Sequence, residues 1–185
     1  MRRLFWLLPV LLTAQAALPC VAQEATSAYT RIDVRKDCKH RPGDGVEDYG
    51  DWRCKGYAGM PMWFAAGDER MYVSFGPRAK DEPAAGETLG PFNDFYQGTI
   101  EWRLADGKPF AAIMRWSYKT PAEIEKKTVS GRMLVVTRLP PGPVCQVGHV
   151  DARANANANE LAREIADKHA RAFVCGRDKI IRLGK

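Results

Sequence analysis

Apolar and polar residues alternate in several short stretches of this chain, while helical spacing is concentrated in one. Ile32 and Val34 alternate with Arg31, Asp33 and Arg35, the pattern of a half-buried strand. Met60 to Ala66 and Arg70 to Phe75 are strand-like. Gly67-Asp68-Glu69 between them predicts a hairpin in which glycine supplies the positive backbone angle. Thr99 to Leu104 and Phe110 to Tyr118 predict a second hairpin around the turn signal Asp106-Gly107. In it Ile100, Trp102 and Leu104 alternate with Glu101 and Arg103, and Ile113 is expected to continue the buried face opposite them. Met133 to Leu139 is a further apolar, β-branched strand, ended by Pro140-Pro141-Gly142-Pro143.

The helical spacing begins after Asn157, with Ala158, Leu161, Ala162, Ile165, His169, Ala172 and Phe173 on one stripe. Asn157 and Glu160 have the spacing of a capping box. Glu164 with Lys168, and Asp167 with Arg171, stand four apart on the other face in the favourable order. Gly176 marks the stop, and Lys179 to Leu183 is expected to form a short strand. A helix this short is marginal alone, so it needs the sheet as a partner. Gln23 to Ala28 is expected to be a loose leader, and Arg41 to Asp51 and Gly76 to Pro91 are Pro- and Gly-rich connections. The expected fold is one α+β domain over 23–185, an antiparallel, meander-like sheet with a C-terminal helix packed on it.

The first residues change the compartment. Met1-Arg2-Arg3 precedes an apolar run, Leu4 to Leu12, and small residues close at Cys20-Val21-Ala22. This predicts a secretory signal peptide over 1–22. The apolar run falls short of the about 20 residues a membrane span needs and is broken by Pro9, Thr13 and Gln15, so no transmembrane anchor is expected after cleavage. Cleavage after Ala16 would leave five cysteines, and cleavage after Ala22 leaves an even set: Cys38, Cys54, Cys145 and Cys175. Lipidation at Cys20 is an alternative, but Pro19 and Ala17 do not suit that processing.

An exported chain keeps cysteines as disulfides more readily than as metal ligands. Four cysteines allow three pairings. Their positions favour the local ones, Cys38 with Cys54 and Cys145 with Cys175, which staple each end of the domain. Zinc-ligand spacing is absent, since Cys38-Lys39-His40 is too tight for a usual pair.

Removing 1–22 takes away Arg2 and Arg3 and lowers the formal charge from +6 to +4. With no block of five like charges and no basic–aromatic motif, a nucleic-acid partner is not expected. Ser74, Ser117 and Ser130 lack a Gly-x-Ser-x-Gly setting. His169 falls on the apolar stripe and reads as a core residue. His149 and Asp151 share a strand face by alternation and are the candidate catalytic pair of an envelope hydrolase. Asp44, Glu47, Asp48 and Asp51, with Gly45 and Gly50, are candidate calcium ligands, although their spacing matches no known calcium loop. No cofactor is expected. Trp52, Tyr57, Trp63, Phe92, Phe95 and Tyr96 concentrate aromatics in and around loops, and Phe92, Phe95 and Tyr96 are the candidate binding residues.

Trp52-Arg53-Cys54-Lys55-Gly56-Tyr57-Ala58-Gly59-Met60-Pro61, with Asn155 to Ala162, resembles uncharacterised exported proteins of Gram-negative bacteria, of alphaproteobacterial type. The resemblance covers most of the chain after the leader and implies a periplasmic location, with no activity to carry over. Trp52 to Tyr57 plus Gly59 also resembles the start of small periplasmic inhibitors of c-type lysozyme, which are β-barrels without a long C-terminal helix. The expected function is that of a periplasmic or secreted, non-enzymatic protein that binds a protein partner or envelope component.

Overall fold

The computed structural model describes residues 24–42, 49–90, 92–119 and 131–184. The expected signal peptide, 1–22, lies outside the described residues, as do Asp44, Glu47, Asp48 and Ser130.

Both hairpins form where the alternation placed them. β4 (Pro61–Gly67) pairs with β5 (Arg70–Phe75), and β7 (Gln97–Ala105) pairs with β8 (Lys108–Lys119). In the second, Asp106 and Gly107 both adopt positive φ, as a two-residue turn between twisted strands requires. The first departs from expectation. Its positive angles fall on Asp68 and Glu69 (φ 52° and 55°), and Gly67 ends the strand before them.

Among the described residues two sheets form where the alternation suggested one. β2 (Lys39–Pro42), β3 (Gly50–Lys55), β4 and β5 make a four-stranded antiparallel meander. The larger sheet runs β1 (Thr26–Asp33), β7, β8, β9 (Gly131–Arg138), β10 (Gln146–Asp151) and β11 (Ile181–Leu183), with β6 (Phe92–Asp94) pairing β8 at its far end. β11 lies parallel to β10, so this sheet is mixed. Thr26 to Ala28, expected to be loose, are already in β1, and Val34 and the residues after it form a single helical turn, α1 (Val34–Asp37).

The larger sheet is covered on both faces, and that accounts for its side-chain pattern. Ile100, Trp102, Leu104, Ala112, Met114, Trp116 and Val135 meet Met62, Phe64, Met71, Val73 and Phe75 of the smaller sheet. Burying Phe64 or Phe75 completely contributes about 2–3 kcal/mol each. On the reverse face Phe110, Ala111, Ile113, Leu134, Val136 and Val150 receive α2 (Ala158–Ile165) and the wider turn Ala166–Ala170 that extends it. Ile113 is therefore under the helix, on the face away from Ile100, Trp102 and Leu104. Gly148 lets α2 approach β10 closely, since a Cβ there would stand 2.6 Å from the Ile165 side chain.

The helix departs from its expected details. Asn157 precedes α2 but caps it with no side-chain hydrogen bond. His169 is exposed, not in the core. Glu164 and Lys168 do pair at 2.9 Å, but Asp167 turns to the sheet. There Arg103 holds it in a two-pronged contact, Nε to Oδ1 at 2.8 Å and a terminal nitrogen to Oδ2 at 2.6 Å. Arg163 reaches Glu101 at 2.6 Å, and Ser27 donates to the same carboxylate oxygen at 2.5 Å. Glu101 and Arg103 are thus buried, each with an opposite charge from the helix. Two disulfides close the ends with the local pairing, Cys38–Cys54 and Cys145–Cys175.

Candidate functional site

The stretch Phe92 to Tyr96 splits between core and surface. β6 is only three residues long and joins the end of β8, with Phe92 opposite Lys119 and Asp94 opposite Ser117. Phe95 is buried to 3 % exposure and stacks on Trp116 with ring centroids 4.1 Å apart. It is a core residue. Phe92 and Tyr96 are half-buried and line a cavity of about 590 Å³.

That cavity is an open groove between the β4–β5 turn, β6 and the end of β8. Its size falls within the range of small-ligand sites, about 300–1,000 Å³. Its walls mix aromatic rings with ionisable groups of both signs: Phe92, Tyr96 and Tyr118 with Glu69, Arg70, Asp94 and Lys119. Tyr96 is held by two neighbours. Arg35 lies over its ring at 3.9 Å, and Trp52, itself stacked on His40 at 4.9 Å, meets it edge-on at 5.7 Å. Asp94 turns the chain by accepting the Tyr96 backbone N–H at 3.0 Å.

Asn93, which the sequence pattern did not single out, secures the floor. Its Oδ1 accepts the Met71 N–H at 3.1 Å, and its Nδ2 donates to Thr88 Oγ1 at 2.6 Å and to the Leu89 carbonyl at 2.9 Å. Its own N–H donates to the Glu69 carbonyl at 3.2 Å. A polar residue between Phe92 and Phe95 is ordinary for a loop, and only its burial marks it out.

The candidate catalytic pair sits elsewhere. His149 and Asp151 share a face of β10, as alternation placed them, and both are buried. Each is already engaged with something else. His149 Nε2 contacts Gln146 Oε1 at 2.6 Å, and Asp151 Oδ1 accepts the Arg153 N–H at 2.8 Å in the following turn. Burial, and then the charge of Arg182, lower the His149 pKa to about 4. Beside them burial pushes the Glu87 carboxyl up, against the opposing effect of the Gln146 N–H that it accepts at 2.5 Å. The adjoining cavity of about 240 Å³ contains Thr88, whose hydroxyl donates to the Met71 carbonyl. His149 is therefore a neutral imidazole near pH 7, held by an amide, beside a carboxylate committed to a turn. Ser74 is fully buried, and Ser117 is exposed on the groove wall.

Of the candidate calcium ligands only Asp51 is described, and its carboxylate stands 3.7 Å from Lys80. Among the described residues no three His, Cys, Asp or Glu side chains gather to hold a metal. No described helix is long and apolar enough to cross a membrane. Compared with models of protein families, with curated proteins and with solved structures, the chain matches none.

Proposed function

We propose that this chain is an exported binding protein that holds an envelope component in the groove between the β4–β5 turn, β6 and β8. The observation that carries this is the groove itself. An open cavity of ligand size has half-buried aromatic rings and several charged side chains at its mouth, on a floor pinned by Asn93. Two disulfides and the leader-like residues 1–22 support export. The likeness of Trp52 to Pro61 to exported proteins of Gram-negative bacteria points the same way. The groove lies apart from His149 and Asp151, so binding there needs no contribution from either.

Co-sedimentation of the purified protein with washed envelope fractions tests this. The wild type is expected to pellet with the fraction, and a Phe92→Ala, Lys119→Ala variant with native circular dichroism is expected to stay in the supernatant. Equal pelleting of the two proteins would place the binding surface elsewhere.

A further inference from the structure

The groove's chemistry narrows what it can hold. Among the described residues the lining charges balance, Arg70 and Lys119 against Glu69 and Asp94. An anionic ligand would meet as much repulsion as attraction there, and so would a cation. A peptide that adds as a strand needs free backbone donors and acceptors along an edge. Where β5 enters the groove those groups are taken. The Met71 N–H goes to Asn93 Oδ1, the Met71 carbonyl to Thr88, and the Glu69 carbonyl to the Asn93 N–H. The lining also offers side chains: the rings of Phe92 and Tyr96, carboxylates that accept, and the Lys119 ammonium that donates.

A sugar ring matches this set. Its C–H face is apolar and packs flat on an aromatic ring, and its hydroxyls each donate and accept. Paired with ionised side chains, such hydrogen bonds are stronger than neutral ones. We infer that the groove takes a neutral saccharide, with Phe92 as the stacking platform and Asp94 and Lys119 bonding its hydroxyls. This inference rests on the groove being the binding site. Phe92 is assigned the platform because one face of Tyr96 already carries Arg35.

Titration of the isotopically labelled full-length secreted protein with the tetrasaccharide of N-acetylglucosamine, followed by amide NMR, tests it. Maltotetraose, a neutral tetrapeptide, inorganic phosphate and an envelope extract are the comparison probes. At least one saccharide is expected to shift the amides of Asp94, Tyr96 and Ser117 saturably. Phe92→Ala is expected to weaken that binding about tenfold. Asp94→Asn, which keeps the oxygen that accepts the Tyr96 N–H, is expected to weaken it with the spectrum otherwise native. Saccharide binding that Phe92→Ala and Asp94→Asn both leave intact would overturn the inference. Groove amides that answer to the peptide, to phosphate or to an envelope extract, but to neither sugar, overturn the saccharide and leave the binding site standing. Groove amides that answer to none of these overturn both.

Discussion

Asn93 on β6 accepts the backbone N–H of Met71 on β5 at 3.1 Å, and this contact joins the larger sheet to the smaller one beneath the groove. The amide is buried, so its partners cannot turn to water instead. Asn93→Ala leaves the Met71 N–H and the Leu89 carbonyl without it and is expected to cost about 3 kcal/mol. Urea unfolding of the two proteins measures this, and a loss under 1 kcal/mol would show the contact to be incidental.

Ion pairs also clamp α2 and the turn after it to β7. Arg103 is almost wholly buried against Asp167. Arg103→Ala removes one partner of a buried pair and is expected to cost about 3 kcal/mol. Asp167→Ala in the same chain should add little further, because the contact is already gone. Additive losses in this double-mutant cycle would mean that the two side chains act separately.

His149 gives the fold a pH dependence with a definite sign. Its pKa is about 4 in the folded chain, below the ordinary value of 6.5, so the unfolded chain binds a proton that the folded one refuses. Stability from this residue is fully present above pH 6.5 and is lost as pH falls towards 4, with no further change below. The span corresponds to about 3 kcal/mol. His149→Asn is expected to flatten the stability profile between these limits relative to the wild type, as read by chemical unfolding at a series of pH values. Parallel profiles would contradict the burial that lowers this pKa.

Each disulfide closes a loop, and the longer loop should matter more. Cys145 and Cys175 are 30 residues apart, and Cys38 and Cys54 are 16 apart. Replacing Cys145 and Cys175 by serine is expected to cost about 3–4 kcal/mol, and the shorter pair about 3 kcal/mol. Non-reducing peptide mapping is expected to find these two pairings and neither of the other two arrangements.

Much of the strand and helix pattern was legible because it rests on local alternation. The Asp106-Gly107 hairpin and the stripe on α2 follow from residues close in the chain. The local disulfide pairing was only a preference from position among three arrangements, and the structure has it. The second sheet was not legible, because a strand such as β4 carries no mark of which sheet it joins. The same limit misled about Glu101, Arg103 and Asp167. Polar residues between apolar ones look solvated until a helical segment 62 to 64 residues away brings their counter-charges. His169 fell on the stripe by spacing, but the helix widens at Ala166–Ala170 and turns it outward. At the site, Phe92 and Tyr96 were legible as aromatics beside a turn. Phe95 differs from them only in facing Trp116, which is 21 residues on.

The groove as the binding surface is the central claim, and site-specific photo-crosslinking in the exporting cell tests it most directly. A photoreactive residue at Ser117, exposed on the groove wall, is compared with one at Arg177, exposed on the turn after the helix. The account predicts a discrete adduct from position 117 that Phe92→Ala abolishes, and none from position 177. An adduct from position 177 with none from 117 would contradict it.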